Sequence, residues 1–376
     1  MACALYIHWP FCARKCPYCD FNSHVRASVD HDLWGEALLA DMRHEAALAG
    51  GERLESIFFG GGTPSLMPPA LVEALLREAE APEIEITLEG NPSSVEAANY
   101  ADLAAAGINR ASLGLQSLED EALRFLGRLH DAREGVAALE VAQRHFGRVS
   151  FDLIYALPGQ TPEHWRAQLE RALVFGTGHL SLYQLTIEPG TRFATDVRLG
   201  KLVPLDDEQA ADLYELTQQI TSVAGLPAYE VSNHARPGEE SRHNLTYWRY
   251  RDYAGIGPGA HGRRGGMATL RHKKPENWLA AVAANGNGLS EERSLGVREQ
   301  ASEALLMGLR LAEGIDLARL SSRFDIPQAE LVEGKQLALY RNHGLICTQG
   351  DRITVTPRGM PLLDALLGQI VPDELV

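Results

Sequence analysis

The stretch His8-Trp-Pro-Phe-Cys-Ala-Arg-Lys-Cys-Pro-Tyr-Cys-Asp20 places three cysteines in the spacing C-x3-C-x2-C, with no fourth cysteine nearby. Four thiolates would saturate a zinc ion or a cubane iron–sulfur cluster. The three thiolates of Cys12, Cys16 and Cys19 leave one iron of a [4Fe–4S] cluster open to a further ligand. The spacing therefore predicts a cluster with an open iron, and the rest of the chain indicates what binds there.

Two other interpretations of these cysteines stay open at this point. His8 or His24 would complete a four-coordinate zinc site, or the cysteines only pack against other side chains. A disulfide framework is disfavoured, since five cysteines are an odd number and three of them lie in one loop. Cys3 and Cys347 are predicted to be packing residues.

The composition is that of a globular protein and argues against two classes of function. At 376 residues, 45% of them hydrophobic, the chain is long enough for one large domain and a small one. A formal net charge of −15 disfavours nucleic acid as a partner. We find no signal-peptide pattern and no apolar stretch long enough to cross a membrane. We therefore expect a cytoplasmic protein without an integral membrane segment.

Short apolar, β-prone runs alternate with helical patterns along the first half of the chain. Such alternation is typical of a parallel sheet covered by helices, with a site at the carboxyl ends of the strands. Six units rather than eight predict the α/β class with a partial (βα)6 TIM-like barrel, open on one side. The predicted strands cover residues 4–8, 56–59, 85–89, 111–115, 149–155 and 179–186.

Changes of pattern divide the chain into three predicted domains. Residues 1–225 form the partial barrel, and residues 226–293 form an irregular region that completes the core. Residues 294–376 read as three helices and a two-stranded wing, which predicts a winged-helix-like domain. Residues 296–376 contain 8 Lys and Arg against 11 Asp and Glu. We therefore expect this domain to serve as a docking module rather than to recognise a DNA sequence.

A triple glycine follows the second predicted strand, in Phe58-Phe-Gly-Gly-Gly-Thr-Pro-Ser65. Glycines allow positive φ and let the backbone approach a ligand closely, although a tight turn at the strand end explains them about as well. A dinucleotide loop would need G-x-G-x-x-G opening a helix, which Pro64 does not permit here. The C-x3-C-x2-C spacing resembles that of the radical S-adenosylmethionine (SAM) superfamily, and this resemblance implies that the turn contacts the amino-acid end of SAM.

Polar residues recur near other strand ends. They are Glu89, which suits the hydroxyls of a ribose, Gln116, Arg128, which could face a carboxylate, and Asp152. Each alone is more often a helix cap or a surface residue than a ligand. Together, at one rim of a barrel, they predict a binding site.

Several motifs are similar to those of the oxygen-independent coproporphyrinogen III oxidase-like family of radical SAM proteins, from about residue 4 to the end. They are Tyr6-Ile-His-Trp-Pro-Phe-Cys12, Gly60-Gly-Gly-Thr-Pro-Ser65, Leu115-Gln-Ser117, Pro158-Gly-Gln-Thr161 and Glu188-Pro-Gly-Thr191. The heme chaperone branch is resembled more than the oxidases. Phe21 stands where the oxidases have a fourth cysteine, and we expect their N-terminal extension before Tyr6 to be absent.

The resemblance implies a [4Fe–4S] cluster on the three cysteines and one SAM, where the oxidases accommodate two. It also implies which positions line the SAM site, and the turn at 255–261 brings the last of them toward the cofactor. These positions are Tyr6, Tyr18, Gly61, Gly62, Thr63, Glu89, Gln116, Arg128, Asp152, Thr186 and His261.

The segment His243-Asn-Leu-Thr-Tyr-Trp248 matches the H-N-x-x-Y-W motif of the heme chaperone branch in full. Histidine is a common axial ligand of heme iron, and aromatic side chains pack on a porphyrin face. Arg242, Arg249 and Arg251 flank the motif and could pair with propionates. The alternative is an aromatic-rich strand with a structural histidine. With the resemblance we favour heme contact by His243, Asn244, Tyr247 and Trp248, with direct ligation by His243 left open.

These features imply a heme chaperone that binds one heme per chain and passes it to acceptor proteins. The alternative is a radical SAM enzyme that oxidises coproporphyrinogen III or modifies another tetrapyrrole, and coproporphyrinogen III oxidase activity is expected to be lacking. A heme- or redox-sensing regulator is disfavoured by the acidic C-terminal module. The expected partners are heme and its acceptors, without nucleic acid, and a homodimer is possible.

The cluster prediction is tested by anaerobic reconstitution. We expect about four iron and four sulfide per chain, because three thiolates suffice to hold a cubane with an open iron. Replacing Cys12, Cys16 and Cys19 with alanine should abolish the cluster, whereas Cys3→Ala and Cys347→Ala should retain it. One zinc ion without sulfide in the anaerobic preparation would contradict the assignment.

Overall fold

The structure, a computed structural model, describes residues 3–48, 53–80 and 83–372, so the outermost residues of the first and third predicted domains lie outside it. The strands are, in chain order, β1 (Ala4–Trp9), β2 (Phe11–Cys12), β3 (His24–Val25), β4 (Ser56–Gly61), β5 (Glu85–Gly90), β6 (Arg110–Gln116), β7 (Arg148–Tyr155), β8 (His179–Gln184), β9 (Asn233–Ala235), β10 (Tyr253–Ile256), β11 (His261–Arg264), β12 (Met267–Arg271), β13 (Leu289–Ser294), β14 (Ile315–Asp316), β15 (Ile346–Gln349) and β16 (Arg352–Val355).

Helices connect most of these strands, and none in the described ranges is long and apolar enough to span a bilayer. They are α1 (His31–Leu48), α2 (Pro69–Glu78), α3 (Ser94–Ala97), α4 (Tyr100–Ala105), α5 (Asp120–Phe125), α6 (Ala132–His145), α7 (Pro162–Val174), α8 (Arg192–Arg198), α9 (Asp207–Val223), α10 (Arg242–Trp248), α11 (Pro275–Asn285), α12 (Val297–Gly308), α13 (Leu317–Phe324), α14 (Gln328–Leu331), α15 (Gly334–Asn342) and α16 (Leu363–Ile370).

The main sheet confirms the predicted partial barrel. Its strand order is β13-β12-β11-β10-β1-β4-β5-β6-β7-β8-β9, and the seven strands from β10 to β8 run parallel. Six of these seven are the strands expected from the sequence. Antiparallel strands flank the parallel block on both sides, and β8 does not pair with β10. The barrel therefore stays open.

The parallel strands are buried on both faces, as parallel sheets require. Ile7 in β1 and Phe59 in β4 are fully buried, and Trp34 and Leu38 of α1 pack in the same core. This continuous apolar core fixes the sheet, so the residues that follow each strand are carried to one rim.

Residues 226–293 are not irregular, which corrects the prediction for this region. They contain β9 to β13, α10 and α11, and β10 pairs directly with β1. The sequence pattern missed these strands because β10 and β11 are only four residues long and contain glycine. The H-N-x-x-Y-W motif lies on helix α10 rather than on a strand.

The C-terminal module has its own core and the shape of a winged helix. Strands β14, β16 and β15 form an antiparallel sheet, so the predicted two-stranded wing has a third short strand. Leu305, Leu320, Ile353 and Leu366 are among the buried side chains of this core. The boundaries of the three domains stay predictions.

A buried ion cluster joins α1 to the strands and helix of residues 226–293. The fully buried Arg271 donates to Asp41 at 3.0 Å and to Glu45 at 2.8 Å. Trp278 Nε1 also donates to Asp41, at 3.2 Å. These four buried side chains satisfy one another's hydrogen bonds and hold the outer strands against the barrel.

Replacement of Arg271 by methionine should lower the free energy of unfolding by about 3–5 kcal/mol, because Asp41 and Glu45 would stay buried without their cation. The matched control is Arg77→Met, which removes the exposed ion pair with Glu73 and should cost less than about 1 kcal/mol. Urea denaturation followed by tryptophan fluorescence measures both. Equal costs for the two variants would show that the cluster does not stabilise the fold.

Candidate functional site

A cavity of about 370 Å³ opens at the carboxyl ends of the parallel strands. All three cysteines of the N-terminal motif line it, together with most of the residues implied by the family resemblance. Those residues are Tyr18, Gly61, Gly62, Thr63, Glu89, Gln116, Arg128, Asp152 and Thr186. The fold therefore brings these residues together with the cysteine loop, where strands β4 to β8 end.

The thiols of the cysteine loop are partly buried and receive hydrogen bonds. Thr63 Oγ1 donates to Cys12 Sγ at 3.3 Å, and Arg128 Nη1 donates to Cys16 Sγ at 3.5 Å. Burial raises the pKa of Cys12 and Cys19. These hydrogen-bond donors would stabilise the negative charge that the cysteines acquire when they bind a metal as thiolates.

His8 fits poorly as the fourth ligand of a zinc ion. In the described residues, no three His, Cys, Asp or Glu side chains are arranged to hold one metal ion. The imidazole of His8 already uses both nitrogens, accepting from Tyr6 Oη at 3.0 Å and donating to the Asn22 carbonyl at 2.9 Å. A cubane cluster differs from zinc because each thiolate binds a different iron, so the sulfur atoms need not surround one point.

Arg128 connects the strand ends to the cysteine loop. Besides Cys16, its guanidinium donates to Tyr18 Oη at 3.4 Å, to the Gly114 carbonyl at 2.8 Å and to Asn91 Oδ1. Asn91 in turn donates to Thr63 Oγ1 at 3.0 Å. The sequence analysis did not identify Asn91 as a site residue. Its position two residues after Glu89, at a strand end, could have indicated it.

Two carboxyls share the floor of the cavity. The Gly61 amide donates to Glu89 Oε2 at 3.2 Å. Burial, and then the charge of Asp152, raise the pKa of Glu89 to about 8. Burial also raises the pKa of Asp152 to about 6. Near neutral pH the pair therefore retains a proton and can both donate and accept hydrogen bonds to ligand hydroxyls.

The glycines of the 60–62 turn are required by close packing within the protein. Gly61 has φ +111°, and a Cβ there would lie 2.5 Å from the His8 ring. A Cβ on Gly62 would lie 2.7 Å from the Phe11 carbonyl, next to Cys12. Substitutions at these glycines would disturb the cysteine loop, so they cannot isolate a ligand contact.

Gln116 adopts a strained backbone conformation in the cavity wall. Its φ is +67°, and the pairing of β6 with β7 shifts register just before it. Left-handed φ in a non-glycine residue costs energy and is found most often at functional sites. This geometry turns the strand end toward the cavity.

A second cavity, of about 690 Å³, lies beside the first. Tyr6 and His261, predicted as SAM contacts, line this one rather than the first, and so does Tyr247 of the H-N-x-x-Y-W motif. The two cavities have a common wall. Its residues are Asp20, Phe21, Ser23, Gly61 and Glu89.

The imidazole of His243 is buried in helix α10 and uses both ring nitrogens. Nδ1 lies 3.1 Å from Ser56 Oγ, and Nε2 lies 2.6 Å from Tyr247 Oη. Burial lowers the pKa of His243 to about 3, so the ring is neutral. Ligation of iron by His243 would require one of these hydrogen bonds to break.

The other residues of the motif are less enclosed. Asn244 and Trp248 are half-buried and line neither of the two cavities described above. The flanking Arg249 forms a two-pronged ion pair with Glu313, and Arg251 forms one with Glu55. Two of the three arginines predicted to pair with propionates are therefore already paired within the protein.

Comparison with known families gives two matched regions. The Radical SAM superfamily matches residues 6–172, and the HemN C-terminal domain matches residues 296–362. The heme chaperone HemW of Escherichia coli is 39% identical, over 97% of both chains. The radical S-adenosyl methionine domain-containing protein 1, mitochondrial, of Mus musculus is 40% identical, over 98% of this chain and 87% of that protein.

One solved structure has a closely similar fold. Coproporphyrinogen III oxidase (HemN) from Escherichia coli superposes with a TM-score of 0.82 and 24% sequence identity, over 97% of this chain and 89% of that one. At this identity the likeness concerns the fold, including the C-terminal module.

The buried carboxyl of Glu89 makes the ligand-free protein sensitive to pH. Because the folded-state pKa is raised from the ordinary 4.5 to about 8, the folded chain holds a proton that the unfolded chain has lost. The contribution of Glu89 to the free energy of unfolding is fully present below pH 4.5. It is lost as the pH rises through about 8. Glu89→Gln should flatten the fall in melting temperature over this interval, measured by calorimetry without SAM. An unchanged slope would contradict the assigned pKa.

Proposed function

The chain belongs to the radical SAM superfamily, in the family of the HemW proteins, and we propose that it is a heme chaperone that binds one heme and transfers it to acceptor proteins. The observation that carries the proposal is a combination of two features. Relatives named heme chaperones match nearly the whole chain, and a cysteine-lined cavity borders a larger, aromatic cavity.

We assign the first cavity to a [4Fe–4S] cluster and SAM. The donor set fits both groups, because three thiols stand beside carboxyl, amide and guanidinium side chains at the strand ends. Cys12, Cys16 and Cys19 would hold three irons of the cluster. When bound, a reduced cluster with SAM supplies one-electron chemistry.

The residues around this cavity bind and orient. Arg128 fixes Tyr18 and Asn91 and neutralises charge near Cys16, so it would stabilise a thiolate-bound cluster. Glu89 and Asp152 offer hydrogen bonds to the hydroxyls of a ribose. Gln116 and Thr186 border the same space and would complete the polar wall.

Heme is the proposed cargo, and the motif residues His243, Asn244, Tyr247 and Trp248 are its proposed contacts. Tyr247 supports this role most directly, since it reaches the second cavity. The acidic surface supports a partner that is not a nucleic acid. We keep a cytoplasmic location and a possible homodimer as proposals, although the mouse relative is named mitochondrial.

An enzyme that acts on a tetrapyrrole is the second candidate. The observation that favours it is the full set of polar side chains in the first cavity, more than a simple cluster scaffold needs. Phe21 opposes oxidase activity, because it stands where the oxidases have a fourth cysteine. Its side chain lines both cavities.

One anaerobic experiment separates the two candidates. The cluster-loaded protein with SAM and a reductant is given either heme or coproporphyrinogen III. We expect about one heme bound per chain, with a Soret band, and no useful formation of protoporphyrinogen. Phe21→Cys should not establish turnover by itself. Robust turnover by the wild type would overturn the chaperone proposal.

The role of the cluster in heme transfer is tested with the triple variant of Cys12, Cys16 and Cys19. Heme binding should persist in this variant, because Cys12, Cys16 and Cys19 line the first cavity and not the second, whereas transfer to an acceptor apoprotein should fail. The variant Cys347→Ala is the matched control. If the triple variant delivered heme as fast as the wild type, the cluster would have no part in transfer.

A further inference from the structure

We propose that the second cavity is the heme seat and that His261 is the axial ligand of the iron. This inference rests on the proposed function, since it takes heme to be the cargo. It replaces the SAM contact that the family resemblance implied for His261. Of the four motif residues on helix α10 it keeps only Tyr247 as a heme contact, because His243, Asn244 and Trp248 do not line this cavity.

Part of the cavity wall is aromatic and suits the face of a flat ligand, while polar and charged side chains form the rest. Tyr6, Tyr247 and Tyr253 contribute aromatic surface, and Phe21 lies at the boundary with the first cavity. Phe21 is 57% exposed, which is unusual for a phenylalanine. A porphyrin face packed on this ring would remove its apolar surface from water.

Three imidazoles line the cavity, and they differ in availability. Both nitrogens of His8 form hydrogen bonds within the protein. His24 uses Nε2, which lies 3.2 Å from Asn22 Oδ1, while its Nδ1 makes no hydrogen bond to the described residues. His261 begins strand β11 and is exposed to the cavity. Within the described ranges its ring makes no hydrogen bond, so ligation by His261 breaks none.

The environment of His261 also favours the ligand form of the ring. Burial and the nearby Lys273 lower its pKa, so the imidazole is neutral at physiological pH. A neutral imidazole is the form that binds iron.

The charges of the cavity match the propionates of heme. Lys15 and Lys273 line it and form no ion pair with a carboxylate of the described chain. The carboxyls of the cavity, Asp20 and Glu89, belong to the wall common to both cavities, and burial raises the pKa of Glu89 to about 8. Lys15 and Lys273 would therefore be the partners of the propionates.

Heme titration of the cluster-loaded protein tests the ligand. The wild type should show an iron–imidazole stretch in the resonance Raman spectrum of its ferrous heme. His261→Gly should lose this band and bind heme about tenfold more weakly or worse, and added imidazole should restore both. Rescue distinguishes a ligand from a side chain that only supports the fold. SAM binding by calorimetry should be unchanged, because the cysteine cavity stays intact.

Three variants complete the experiment. His343→Gly, at an exposed histidine far along the chain, should behave as the wild type. His243→Ala and His24→Ala should retain the iron–imidazole band. Persistence of the band in His261→Gly, or its loss in either of these two alanine variants alone, would overturn the assignment while leaving heme binding itself intact. A wild type that binds no heme would instead refute the proposed function.

Discussion

All strands of a parallel sheet point in the same direction, so their carboxyl ends meet at one rim of the barrel. This constraint determines where the functional site forms. The apolar core holds the strands in register, so each polar residue that follows a strand reaches the same rim. The cysteine loop follows β1, the glycine turn follows β4, and Glu89 closes β5. Strand β10 extends the rim past β1, and the turn after it carries His261 to the second cavity.

Much of this architecture follows from local patterns in the sequence. The six strands, the helices between them and the cysteine loop are encoded in short stretches, and the strand ends of a parallel sheet are neighbours by rule. This rule alone predicts that Glu89, Gln116, Arg128 and Asp152 lie together, and all four line the first cavity. The C-terminal module could be predicted for the same reason, since its helices and wing are continuous in sequence.

The rest depends on partners that are distant along the chain. Arg271 finds Asp41 across 230 positions, and no spacing rule predicts that pairing. Strand β10 is too short to give a period, so its pairing with β1, and with it the second cavity, was missed. The roles of the glycines also changed. A sequence cannot tell whether Gly61 makes room for a ligand or for His8, whereas the structure shows the histidine ring beside it.

The central claim is that cofactor and cargo occupy neighbouring cavities with a common wall, which includes Phe21 and Glu89. Ligands that touch the same side chains influence each other's affinity, and linkage makes this influence reciprocal. The direct measurement is an anaerobic heme titration of cluster-loaded protein with and without saturating SAM, paired with a SAM titration with and without heme. The account predicts that each ligand changes the Kd of the other by the same factor, different from one. Affinities that are independent of the second ligand would contradict it.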